Sequence, residues 1–203
     1  MGDLRTVILA AGKGTRMKSD VPKVLHEVCG KPIVEYVLDA AKAAGSLKTY
    51  VVVGYKGDAV KKQLGSGPIM IRQPKLSGTA DAVRRVAGHL KNYRGDVLIL
   101  CGDTPLLNKM VIKELVGKHK NSKAVCTFLT AAVGDPQGYG RIIRDERGKV
   151  VAIREDKDAF DHERNIVEIN VGVYCVQSRA LFGALKRIRL NEKKKEFYLT
   201  DII

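Results

Sequence analysis

The chain contains no tryptophan, and aromatic residues make up only 5% of its 203 positions. Binding to single-stranded nucleic acid leans on aromatic platforms for stacked bases, so this scarcity weighs against such a role despite a formal net charge of +14. The basic residues are spread along the chain, with local concentrations at Arg84-Arg85 and Lys193-Lys194-Lys195. No helix-turn-helix, zinc-finger or RNP pattern occurs. A solvated basic surface that also attracts nucleotide phosphates explains the charge, and no nucleic-acid partner is expected. No apolar stretch approaches the roughly 20 residues of a membrane helix, and the N-terminus lacks a signal-peptide layout. The expectation is a cytoplasmic protein with no membrane partner. The four cysteines, Cys29, Cys101, Cys126 and Cys175, are far apart and form no C-x-x-C pair. Three of them sit in apolar, strand-like runs, where a free cysteine behaves as a small buried hydrophobe. The four histidines are scattered without zinc-site spacing.

What is present is concentrated first in the opening thirty residues. The apolar run Val7-Ile8-Leu9-Ala10-Ala11 leads into Gly12-Lys13-Gly14-Thr15-Arg16-Met17, and Pro22-Lys23 follows. A buried strand ending in a glycine-rich, cation-bearing loop is a phosphate cradle, because glycines let backbone N–H groups face the oxyanions. Lys13, Arg16 and Lys23 can neutralise the charge, Arg with a planar fork and Lys as a mobile point charge. The Walker pattern is absent, and the dinucleotide fingerprint fails because Met17 stands where its third glycine belongs.

The order of elements alternates. Strand-like runs at Thr6–Ala10, Tyr50–Val53, Met70–Arg72 and Val97–Cys101 alternate with helical patterns near Ile33–Ala44, Ala59–Leu64, Ala80–Leu90 and Lys109–His119. This predicts an α/β, Rossmann-like fold with a mostly parallel central sheet and helices on both faces. Ligands bind such sheets beyond the carboxyl ends of the strands. The glycine loop follows the first strand and Gly102-Asp103 the fourth, so both are expected on one rim. After residue 122 the pattern becomes β-rich, at Ala124–Val133, Lys149–Ile153 and Val167–Val176. With no internal repeat or linker, residues 1–203 read as one domain with halves 1–122 and 123–203.

Six further patches complete the picture: Gly78-Thr79-Ala80, Gly102-Asp103-x-Pro105-Leu106, Asp135-Pro136-x-Gly138-Tyr139-Gly140-Arg141-Ile142, Glu155-x-Lys157-Asp158, Glu168-Ile169-Asn170-x-Gly172 and Tyr198-x-Thr200-Asp201-Ile202-Ile203. With the glycine loop, this ordered set resembles the sugar-1-phosphate nucleotidyltransferases, and among them the bacterial N-acetylglucosamine-1-phosphate uridyltransferases. The resemblance implies uridylyl transfer from UTP to N-acetylglucosamine 1-phosphate, with Mg2+ as cofactor and release of pyrophosphate. It implies Arg16 and Lys23 as catalytic cations and Asp103 as the metal ligand. Leu9, Ala10, Ala11, Gly12, Gly14, Thr15, Gln73, Gly78 and Thr79 would hold the nucleotide. Gly102, Gly140, Glu155, Asn170, Tyr198 and Thr200 would hold the sugar, making the second half a β-rich sugar-binding subregion.

Departures from the family pattern bear on these expectations. The uridyltransferases usually carry two glutamines around the uracil; Gln73 matches the first, but Leu76 stands in place of the second. Cys101 stands where a tyrosine is common. The family's catalytic region also continues past the Tyr-x-Thr-Asp motif and supplies an asparagine as a further metal ligand, so a chain ending at Ile203 is expected to be cut short. No hexapeptide repeat of a β-helical, oligomerising domain occurs. Two alternatives stay open: another nucleotidyltransferase of the same fold, or a nucleotide-binding module with little catalysis.

Overall fold

The computed structural model describes residues 3–203. Ten strands run β1 Leu4–Ala10, β2 Glu27–Val28, β3 Lys31–Pro32, β4 Ser46–Val53, β5 Ile69–Arg72, β6 Asp96–Cys101, β7 Cys126–Ala132, β8 Arg141–Arg144, β9 Val150–Arg154 and β10 Glu168–Gln177. Six α-helices are α1 Ile33–Ala43, α2 Gly57–Leu64, α3 Thr79–Arg84, α4 Lys109–Ser122, α5 Asp161–Arg164 and α6 Ser178–Leu185. Strands β2 and β3 form a small separate hairpin.

The other eight strands make one sheet in the order β5-β4-β1-β6-β10-β8-β9, with β7 also paired to β10. The pairs β4–β5, β1–β4 and β1–β6 are parallel and form the parallel half of the expected α/β sheet. From β10 onward every pairing is antiparallel. A strand covered by helices on both faces needs apolar side chains in both directions, and the run Val97-Leu98-Ile99-Leu100 of β6 is fully buried. Alternate residues serve opposite faces. Val97 and Ile99 pack with Val83 of α3 and with Leu181 and Leu185 of α6. Leu98 and Leu100 pack with Val34 and Val37 of α1, Val60 of α2 and Ile112 of α4. Each such side chain contributes about 1.5–3 kcal/mol on burial.

Helix ends follow local chemistry. Asn108 caps α4, its side chain accepting a hydrogen bond from Met110 N at 2.8 Å. The helix anticipated over 80–90 is interrupted: α3 ends at Arg84, and a separate single turn covers Ala87–Leu90. Gly88 lies in that turn, where its low helix propensity favours the break. Helix α6 and strand β8 carry weak periodicity and were not anticipated. In β10, the register with β7 shifts between Asn170 and Tyr174, and Gly172 sits in the shift at φ 81°.

Candidate active site

Strands β1 and β6 are neighbours, so the two segments that leave their carboxyl ends meet, and Gly102 N donates to Leu9 O at 2.9 Å. The shared rim anticipated for the glycine loop and Gly102-Asp103 is therefore present. A cleft of about 490 Å³ opens there. Leu9, Ala11, Gly12, Gln73, Gly78 and Thr79 line one side, and Asp103, Glu155 and Tyr198 the other. Ala10 points its side chain into the core instead, so only its backbone faces the loop.

The glycine loop is shaped by Gly14 at φ 65°. A Cβ on Gly14 would lie 2.6 Å from the Lys23 Cβ, so the bare backbone lets Lys23 pack beneath the loop. From there Lys23 Nζ donates to Asp103 Oδ2 at 2.7 Å. Thr15 and Arg16 lie on the exposed stretch between Lys13, which lines the cleft, and Lys23. Arg16 has no ion-pair partner among the described residues. The far side of the loop is tied down where Lys56 Nζ donates to Asp20 O at 2.7 Å.

Gln73 is buried, and its Nε2 donates to Gly78 O at 3.1 Å and to Asp81 Oδ2 at 2.9 Å. The amide nitrogen thus holds the Gly78 turn in place. Leu76 lines the same cleft, with its Cδ2 2.7 Å from where a Gly54 Cβ would stand.

The chain's last turn closes the cleft. Phe197 N donates to Ser77 O at 2.8 Å, Ala80 N to Phe197 O at 2.9 Å, and Leu199 N to Thr79 Oγ1 at 2.9 Å. Gly78 permits this approach: it sits at φ 100°, and a Cβ there would lie 2.4 Å from Phe197 O. One strap then reaches both walls, because Thr200 Oγ1 donates to Glu155 Oε1 at 2.8 Å. Burial raises the Glu155 carboxyl above its ordinary range, a trend that the Thr200 hydrogen bond opposes. Burial likewise pushes the Tyr198 hydroxyl up to about 12.

Gly140 and Asn170 stand behind this wall. Asn170 N donates to Gly140 O at 2.8 Å. The Asn170 side chain receives Gly172 N at 3.0 Å and donates to the Tyr174 hydroxyl at 2.7 Å, which keeps one amide hydrogen unspent. Arg141 is an internal clamp: it is buried, and its guanidinium meets Asp156 at 2.8 Å as well as the Tyr139 carbonyl. The Gly138-Tyr139-Gly140 loop is held in this way. Cys101 lies beside Gly172 O, with Sγ at 3.6 Å, and burial pushes its thiol up to about 12. That burial favours the neutral thiol over the thiolate. The same burial pushes the Cys126 and Cys175 thiols up to about 12, and only Cys29 is exposed.

Among the described residues no group of three His, Cys, Asp or Glu side chains could hold a metal ion. Asp103 offers one carboxylate at the cleft. That donor set suits a magnesium ion, which uses one or two carboxylates and takes its other ligands from phosphates and water.

Sequence reasoning missed Glu196 and Ala82 in the cleft lining and the Tyr174 partner of Asn170. Glu196 could have been found from its place two residues before Tyr198; Ala82 and Tyr174 carried no sequence signal.

Residues 6–200 match the model of the MobA-like NTP transferase domain. The chain belongs to this family. It is 48% identical over 201 residues to the bifunctional protein GlmU of Pelotomaculum thermopropionicum, across 99% of this chain and 44% of that protein. It is 49% identical over 197 residues to the bifunctional protein GlmU of Geobacillus thermodenitrificans, across 97% of this chain and 43% of that one. The chain therefore spans less than half the length of these relatives. The NTP transferase fold also matches a solved UDP-glucose pyrophosphorylase complexed with UDP-glucose, at TM-score 0.80 and 16% identity, over 100% of this chain and 85% of that one. At that identity the likeness is one of fold. No helix among the described residues is long and apolar enough to cross a membrane.

Proposed function

We propose that this NTP transferase chain moves a uridylyl group from UTP to N-acetylglucosamine 1-phosphate, giving UDP-N-acetylglucosamine and pyrophosphate. The observation that carries the reading is the cleft itself. A glycine loop with Gln73 and Gly78 lines one wall, and Asp103 with the Glu155 carboxylate and Tyr198 hydroxyl lines the other. The likeness of the motifs to the uridyltransferases and the identity to GlmU proteins over nearly the whole chain support it. Residues 1–203 act as one nucleotidyltransferase unit in this reading, since the sheet is continuous from β5 to β9.

The backbone N–H groups of Gly12 and Gly14 cradle the phosphates, and Leu9 and Ala11 wall the ribose and base. Gln73 Oε1 accepts a hydrogen bond from the base while its Nε2 stays on Gly78. Arg16, free on the exposed loop, folds onto the α-phosphoryl group and the leaving pyrophosphate, where charge grows in the transition state. Lys23 faces the phosphates from below. Glu155, Asn170 and the Gly140 backbone receive the hexosamine hydroxyls and amide, and Tyr198 covers the ring. A buried hydroxyl without a partner costs about 1–3 kcal/mol, so this set discriminates among sugars. A magnesium ion held by Asp103 would supply charge neutralisation across the phosphates. No base is required to activate the acceptor, because the sugar phosphate oxygen is already anionic. In this reading the protein works in the cytoplasm with its substrates.

Pyrophosphate release, measured with UTP, CTP and dTTP against N-acetylglucosamine 1-phosphate and glucose 1-phosphate, tests the assignment. The expected outcome is the highest specificity constant for UTP with the amino sugar. Equal turnover of both sugars would leave only a general sugar-phosphate nucleotidyltransferase. No turnover with nucleotide still bound would favour the non-catalytic module.

A further inference from the structure

Lys23 and Asp103 have separate tasks in the proposed reaction, yet here they hold each other. Their side chains are 34% and 35% exposed, and Lys23 is the only ion-pair partner of Asp103 among the described residues. The two ends of Lys23 differ. Its main chain is fixed in the single turn Lys23–Leu25, beside buried Val24 and against Gly14. Its ammonium sits at the tip of a flexible four-carbon stem, half in water, where a change of partner costs little reorganisation.

Resting on the proposed function, we propose that Lys23 occupies the Asp103 carboxylate against a free divalent cation and yields it when nucleotide phosphates arrive. The exchange balances charge. Before binding, ammonium faces carboxylate. Afterwards ammonium faces phosphate, and carboxylate faces the cation that travels with the phosphates. No half-buried charge is left alone at either stage, a state that would be costly. Arg16 makes no such contact in the free protein: it lies on the exposed loop and has no ion-pair partner among the described residues. It follows that cation alone binds weakly and that cation and nucleotide tighten each other's binding, as linkage requires. Lys23 is then a positioning residue for the metal as well as a phosphate contact.

Two titrations without turnover test this. One follows Mn2+ binding to nucleotide-free protein by electron paramagnetic resonance; the other follows UTP binding in excess chelator by calorimetry. Lys23→Met should tighten Mn2+ binding about threefold or more, as expected when an exposed ion pair competing for the carboxylate is removed. The same variant should loosen metal-free UTP. A merely structural lysine would weaken both. Lys23→Arg should hold Mn2+ affinity at the parent level, and Lys23→Gln carries the Lys23→Met expectation should that variant not fold. Adding Asp103→Asn to Lys23→Met should erase the gain. Mn2+ binding no tighter in Lys23→Met and Lys23→Gln than in the parent overturns the exchange. If Asp103→Asn alone still lowers Mn2+ binding in the presence of UTP, that failure leaves the metal role of Asp103 standing. A gain that survives in the double variant overturns both.

Discussion

The two halves of the sheet build their walls of the cleft by different means. In the parallel half, β1 and β6 end side by side, and glycine turns open onto the cleft at Gly12, after β1, and at Gly78, after β5. On the other wall the groups proposed to act are the side chains of Glu155, Asn170, Tyr198 and Thr200; Glu155 and Thr200 pair with each other across 45 positions, and Asn170 pairs with Tyr174 on its own strand. A triphosphate needs many N–H donors on one concave surface, which glycine-rich turns supply. A sugar needs a few donors and acceptors at set positions, which side chains on strands and straps supply. The difference shows which wall tolerates change: loops of the first are set by main-chain geometry, while the second is set by pairings that single substitutions dissolve.

The largest expected effect sharpens the nucleotide side. Arg16→Ala removes an exposed arginine of the loop that has no ion-pair partner among the described residues, and should lower turnover by a factor on the order of 10²–10³, with thermal stability unchanged. Turnover within a few-fold of the parent would remove Arg16 from the mechanism. The next effect breaks the separation of the walls, because Gly78 belongs to one and supports the other. Gly78→Ala places a Cβ 2.4 Å from Phe197 O at φ 100°. It should cost about 2 kcal/mol or more of stability and raise the KM for the sugar phosphate as the strap lifts. An unchanged denaturant midpoint would show that the strap is not anchored there.

This comparison also decides how much the sequence could tell. The parallel half was readable residue by residue: continuous apolar runs gave β1 and β6, and the glycine loop between a strand and Pro22-Lys23 marked the rim. The proposed sugar side was readable only through family resemblance, since Glu155 and Asn170 look like ordinary surface and turn residues without it. What stayed hidden is non-local. The strap's docking on Gly78, 119 positions away from Phe197 in sequence, has no periodicity to announce it. Nor does the clamp of Arg141 on Asp156, where the motif was visible but its structural task was not. The break after Arg84 was missed because the apolar spacing of Val83, Val86 and Leu90 suits one continuous helix, while Gly88 and the pull of the core favour two turns.

A smaller effect concerns the base. Leu76 lines the cleft beside Gln73, so Leu76→Gln should restore one neutral hydrogen bond, worth about 0.5–1.5 kcal/mol. The preference for UTP over CTP and dTTP should rise about threefold to tenfold, read from specificity constants. An unchanged ratio would mean that Leu76 does not face the base. The smallest effect is on stability. Burial raises the Glu155 carboxyl above its unfolded value, so the folded state holds a proton more tightly than the unfolded chain does. Glu155 therefore destabilises the fold increasingly as pH rises from its unfolded value through its raised one. Glu155→Gln keeps the acceptor for Thr200 and should melt above the parent at neutral pH, with the two melting temperatures converging in acid. A variant melting lower at neutral pH would show that the ionised carboxylate is a net structural gain.

The division of labour between the walls is tested most directly by calorimetric titration of UDP and UDP-N-acetylglucosamine against the parent and Glu155→Ala. The parent should bind the nucleotide sugar more tightly than UDP. In Glu155→Ala that advantage should shrink by about tenfold or more, the worth of a hydrogen bond to a charged group, while UDP affinity stays at the parent value. An equal loss for UDP and UDP-N-acetylglucosamine would contradict it, because Glu155 would then serve the whole cleft and not the sugar wall.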